Sequence, residues 1–210
     1  MELRDQLDRL KLENHRLREL AEQGRRLQAL FALREQAVVP SVAAQVLSAG
    51  SSETARIVLI DKGANDGLTA DLPVMVPDGV VGKVLHVFPS TAQVILITDP
   101  YSGVAALLGD SRIHGIVKGQ NQSECVLAYV PNGDPVQPGQ IVYTSGEDRI
   151  FPKGLPVGVV VEARPGVEFQ QIKVRPLAKL NRLEEVLVLL QSAGEVAAFQ
   201  QAAGAGDHDA

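Results

Sequence analysis

The stretch Tyr143-Thr144-Ser145-Gly146-Glu147-Asp148 puts a serine before a glycine, between a short apolar run and a Gly/Pro-rich turn. A serine so placed can act as a nucleophile if a base takes its proton and a third group orients that base. His86, Asp99 and Ser145 occur in the chain order of trypsin-like proteases. The surroundings argue against that chemistry. Those enzymes place Gly two residues before the serine, where backbone N–H groups build the oxyanion hole; here Tyr143 stands there. His86 alternates with apolar residues in the run Val81 to Phe88, which points it to the solvent side of a strand. Asp99-Pro100 reads as the start of a turn. The competing reading makes Ser145-Gly146 a strand end entering a turn that needs glycine's backbone freedom. Glu147 and Asp148 are then solvated turn carboxylates rather than an acid/base pair.

Other chemistry finds little support. Cys125 is alone, which excludes an internal disulfide and a Cys-rich zinc site. His114 reads as a strand-edge residue without clustered ligands, and His208 and Asp209 sit in the terminal stretch. Neither the Gly63–Gly67 stretch nor Pro131–Gly139 has the ligand spacing of a calcium loop. No Gly-rich loop followed by Lys-Ser/Thr offers a phosphate cradle. The expectation is no catalytic residues, no metal and no cofactor. A formal net charge of -5 and a pI near 5.4 argue against nucleic-acid binding, which needs a basic surface.

The elements follow from the hydrophobic pattern. Residues 1–36 hold no Pro and one Gly, and are rich in Leu, Arg, Glu and Gln, which predicts one long helix. Leu3, Leu7, Leu10, Asn14 and Leu17 step by four, three, four and three, a heptad seam with Asn14 at an inward position. After Leu17 the register slips: Leu20, Leu27 and Leu30 lie on another stripe, with Gly24 inside the slip. Either the helix packs on its own domain, or it forms a homodimeric coiled coil. The narrow seam suits a partner helix better than a sheet.

From Pro40 onward, runs of four to eight Val, Ile and Leu-rich residues alternate with turn signals such as Asn65-Asp66-Gly67 and Pro131-Asn132-Gly133. This predicts twelve short strands between Ser41 and Leu190, hence small barrels or a sandwich over residues 37–190. Lys62–Val74 and Ser145–Val157 echo each other, both ending in Leu-Pro-Val, which suggests two similar lobes each turning a corner at this loop. Residues 191–210 are rich in Ala, Gly and Gln and read as a disordered tail. No apolar run is long enough for a membrane helix, and the charged N-terminus does not read as a signal peptide. The expectation is a cytosolic protein or a soluble piece of an exported one.

Together, Asp61-Lys62-Gly63 through Gly67, then Thr144-Ser145-Gly146 through Phe151-Pro152 and Gly154-Leu155-Pro156-Val157-Gly158, preceded by a heptad helix, resemble the MreC family of rod shape-determining proteins. The resemblance covers about Arg4 to Leu190. It implies two small six-stranded-type β-barrels behind a dimerising helix, with chymotrypsin-like topology and no triad. It also implies a non-catalytic periplasmic scaffold, held at the inner membrane by a segment missing from this chain. The implied partners are a second copy or a filament, a class B penicillin-binding transpeptidase, MreD, MreB and RodA. Gly63, Gly67, Ser145, Gly146, Phe151, Pro152, Gly154 and Gly158 would be structural, and Leu3, Leu7, Leu10, Asn14 and Leu17 would dimerise. Phe151 and Phe169 are apolar candidates for a partner surface, or else pack the lobes. A serine hydrolase on a protease-like double barrel and a periplasmic export adaptor are the rival readings. A single helix at the start argues against the adaptor, whose helix usually runs out and back.

Overall fold

The structure is a computed structural model and describes residues 2–36, 39–51 and 56–191. Helix α1 (Glu2–Gln36) is followed by twelve strands. They are β1 (Ser41–Ser51), β2 (Arg56–Ile60), β3 (Pro73–Val76), β4 (Gly79–Val87), β5 (Ala92–Leu96), β6 (Gly103–Leu108), β7 (His114–Gly119), β8 (Cys125–Ala128), β9 (Ile141–Thr144), β10 (Pro156–Arg164), β11 (Gln171–Pro176) and β12 (Glu185–Leu189). The tail expected at 191–210 lies, apart from Gln191, outside the described residues.

All pairings are antiparallel, and the strands close into two six-stranded barrels. Around the first ring the order is β1-β12-β3-β4-β5-β2, and around the second β10-β11-β8-β7-β6-β9. Closure satisfies every strand edge, which an open sheet of this size would leave exposed. Period-two patterning fills the interiors: in β11, Ile172 and Val174 are buried while Gln171, Lys173 and Arg175 face out.

The C-terminal strand β12 returns to the first barrel, so the second barrel is an excursion between β5 and β12. Placing β12 first in the count makes the two rings identical in strand order. Then β3 corresponds to β9 and β4 to β10. This corrects the reading of the internal echo. Lys62–Val74 joins β2 to β3, strands that are not neighbours, whereas Ser145–Val157 joins the paired strands β9 and β10. The two barrels are alike, but the matching loops occupy different corners and share turn chemistry only.

β12 is apolar on both faces because both are covered. Val186 and Val188 enter the first barrel core, while Leu187 and Leu189 pack with Met75 beneath Leu30 of α1. Arg26 anchors the same half of the helix to Glu184 (2.5 Å) and Glu185 (3.3 Å). The barrels share apolar contacts too. Val80 and Ile97 of the first barrel side join the second barrel's core cluster, and Gly79 lies against the Pro156 carbonyl. Arg56 donates through its side chain to Asn121 across the junction, and its backbone N–H donates to buried Asp99.

Candidate functional site: the serine turn and the helix face

The turn from Ser145 to Pro156 is built by side chains acting on backbone. Thr144 is buried, and its hydroxyl donates to the Pro152 carbonyl and accepts the Leu155 N–H (2.9 Å). Its own carbonyl accepts the Gly154 N–H at 2.9 Å. Asp148 does more. One carboxylate oxygen accepts the N–H groups of Ile150 and Phe151, both at 3.0 Å, and the other accepts Ala105 N–H of β6 at 3.0 Å. Far from being a solvated turn carboxylate, Asp148 fastens the loop to the barrel wall. Phe151 then drops into the second barrel core, 1% exposed, beside Val104, Val142 and Val160. That removes Phe151 from the candidates for a partner surface. Phe169 stays exposed.

Gly146 has φ 83°, and an added Cβ would stand 3.3 Å from the Lys153 Cβ, so both backbone and space favour glycine. Gly154 also has positive φ, while Gly158 sits where a Cβ would meet Val174 and the Arg175 carbonyl. Pro152 is half-buried at the turn's base. In the first barrel, Gly63 is pressed onto the backbone of Phe88 to Thr91, leaving no room for a Cβ. Asp66 accepts the Gly63 N–H at 3.0 Å, and Gly67 closes the short 3-10 turn Ala64–Asp66 with φ 85°.

Ser145 is nearly buried, and its N–H pairs with the Ala105 carbonyl. Its hydroxyl touches Glu147, donating to the carboxylate and accepting the Glu147 N–H, each at 3.3 Å. The other carboxylate oxygen of Glu147 meets His114 Nδ1 at 3.1 Å. Serine, carboxylate and imidazole are therefore present, but not in the serine–imidazole–carboxylate order of a trypsin-like triad. The imidazole must touch the serine to take its proton, and here the carboxylate stands between them. His86 is exposed on β4, and the Asp99 carboxylate is taken up by the N–H groups of Arg56 (2.6 Å) and Tyr101 (2.8 Å). Among the described residues no hydrogen bond joins any two of His86, Asp99 and Ser145. The contacts of Ser145 run to Ala105 and Glu147 and not to His86 or Asp99. Cys125 is buried in the second core with its thiol on the Ile97 carbonyl at 3.4 Å. Burial pushes its pKa from 9.0 up to about 12, partly opposed by Arg56, which disfavours the reactive thiolate.

Helix α1 divides where its register slips. Leu30 is buried against the first barrel. Leu10 (63% exposed), Leu17 (58%) and Asn14 carry the heptad seam on a stretch that meets no barrel. The side chains of Leu3 and Leu7 lie outside the described residues. Packing on its own domain thus holds for the second half of the helix, while Leu10, Asn14 and Leu17 of the first half are exposed.

The family model described as "Rod shape-determining protein MreC, barrel core" matches residues 46–190. The chain belongs to the MreC family. Among curated MreC proteins, that of Caulobacter vibrioides is 33% identical over 147 residues, covering 70% of this chain and 42% of its own length. That of Cereibacter sphaeroides is 31% identical, covering 90% and 61%. The chain thus spans about half the length of the MreC relatives it matches. A solved MreC structure superposes with TM-score 0.76 at 29% identity, over 81% of this chain and 98% of that one. The Pseudomonas aeruginosa MreC crystal structure gives 0.69 at 29%, over 71% and 99%. The double barrel and its serine turn are thus an MreC core, and the trypsin-like chain order of His86, Asp99 and Ser145 is a coincidence of types on such barrels.

Proposed function

We propose that the chain is a non-catalytic scaffold that controls cell shape, acting in the periplasm by dimerising and holding cell-wall synthesis enzymes. Membership in the MreC family carries this reading. The geometry supports it: Asp148 of the serine turn is spent on backbone N–H groups of the turn and of β6, and Leu10 and Leu17 of α1 are exposed. One MreC fold relative is described as a complex of penicillin-binding protein PBP2 with MreC from Helicobacter pylori, and another as the major periplasmic domain of a cell shape-determining filament. For this chain the reading assigns a class B transpeptidase, MreD, MreB and RodA as partners, with a membrane anchor in the full-length protein.

Dimerisation runs through residues Arg4 to Leu33, with Leu3, Leu7, Leu10, Asn14 and Leu17 at the seam. An inward Asn14 lowers stability while fixing register and favouring two strands. Each seam leucine buried adds about 1.5–3 kcal/mol. Sedimentation equilibrium should find a dimer for the wild type and a monomer for Leu10→Asp. A monomeric wild type at high concentration, or an unchanged mass for the variant, removes the seam from the account. This reading assigns the two barrel lobes to residues 37–190 and expects binding to survive deletion of residues 191–210.

A further inference from the structure

The outer face of the second barrel carries a groove of about 600 Å³ that neither the serine turn nor the helix uses. Its floor is a cross-strand row. Glu162 of β10 lies opposite Lys173 of β11, Lys173 opposite Val126 of β8, and Val126 opposite Lys118 of β7. Val126 is therefore an apolar spot between two lysines. Along one rim stand Tyr129 and Phe169, 50% and 38% exposed, in edge contact with ring centroids 5.7 Å apart. Two loops hold this rim in place. Asn132 both donates to and accepts from the backbone of Gly166, Gln170 donates to the carbonyls of Pro131 and Asp134, and Pro131 bridges Phe169. Tyr129 takes a left-handed backbone, φ 68°, a strained choice for an aromatic residue, while its ring stays half exposed. Such strain is characteristic of ligand clamps and other functional sites.

Charge decides what fits. Glu162 is shared by Lys173 (3.1 Å) and Arg164. The hydrogen bond from Lys173, with the charges of Arg164 and Lys173, holds the Glu162 carboxyl below its ordinary range, so it stays ionised. Lys118 bonds the Tyr129 hydroxyl at 2.9 Å, its ammonium 4.7 Å from the ring centroid. Lys173 and Arg164 thus pair with Glu162 in the groove and Lys118 stands beside it at Tyr129, on a chain whose net charge is -5. We propose that this groove docks an extended acidic segment of a partner protein, its large apolar side chain seated on Val126 against Tyr129 and Phe169. The pairing of aromatic and arginine anchors with a charged rim is that of binding hot spots. Because the barrel is closed, recognition runs through side chains and not by strand addition.

Fluorescence anisotropy tests this with the full chain and a labelled seven-residue-type peptide alternating aspartate with leucine or phenylalanine, beside a counterpart carrying lysine for aspartate. The acidic peptide should saturate, weaken with added salt, and bind at least about tenfold more tightly than the lysine peptide. Phe169→Ser and Arg164→Glu should each weaken it by about tenfold or more. Arg164 is a surface residue, so Arg164→Glu keeps the test decisive if Phe169→Ser fails to fold. No saturation at about millimolar chain, equal binding of the lysine peptide, or indifference to Arg164→Glu would overturn the proposal. So would self-association of the wild type that Arg164→Glu abolishes without peptide binding, which would give the groove to a second copy.

Discussion

At the residue scale the deciding side chain is Asp148, not Ser145. A carboxylate that accepts three backbone N–H groups cannot be removed without leaving those donors short, at about 1–3 kcal/mol. Asp148→Ala should therefore lower the melting temperature clearly. Ser145→Ala, which loses two long contacts to an exposed glutamate, should fold and complement a shape defect as the wild type does. Gly146→Val should fail through its positive φ. Thermal denaturation of the variants beside a shape-complementation assay checks all of them. A properly folded Ser145→Ala that loses function would return the serine to the chemistry. Cys125 gives a second test. With its folded pKa raised to about 12 from 9.0, the unfolded chain loses the thiol proton first. Its contribution to stability is then complete below pH about 9 and declines from there towards 12. Alkylation of the native chain should be slow at pH 8 and fast only in denaturant. Rapid native alkylation would contradict the burial.

Helix and strands show which physics is written locally. All twelve strands lie where alternation and turn residues put them, because period-two burial and Gly/Pro/Asn punctuation are properties of neighbouring residues. β1 runs on to Ser51, four residues past expectation, because a bulge between Val46 and Ser48 lets it turn from β12 to β2. The return of β12 to the first barrel was not legible, since no local pattern names a strand's partner; its double-sided apolar run, Val186 to Leu189, was the available signal. The slip after Leu17 was legible, but not that Leu30, on the second stripe, packs on the barrel. The three roles of Asp148 were hidden, because a turn carboxylate looks the same solvated or bonded. Leu30→Ala should cost about 2–5 kcal/mol and loosen the helix from the barrel while sparing the open seam. Leu10→Asp should do the reverse, leaving the melting temperature of dilute monomer unchanged. Circular dichroism melts read with sedimentation separate the two, and a common loss in both variants would deny the division of the helix.

Taken whole, the molecule is two like barrels joined by shared apolar contacts and an Arg56 strap, with a helix fixed at one end and open at the other. Ser145, Glu147 and His114 stand in line with the carboxylate in the middle, which is not the order of a trypsin-like triad, while the closed barrels and the exposed Leu10 and Leu17 both suit assembly. The proposed scaffold role acts by binding a client and shifting its conformational population. The most direct measurement is a calorimetric titration of the chain, shortened by residues 191–210, into the periplasmic part of a class B transpeptidase, with the full chain and Ser145→Ala in parallel. The account predicts saturable binding of equal affinity in all three and no heat of turnover with peptide or ester substrates. Absent binding, or turnover that disappears with Ser145→Ala, would contradict it.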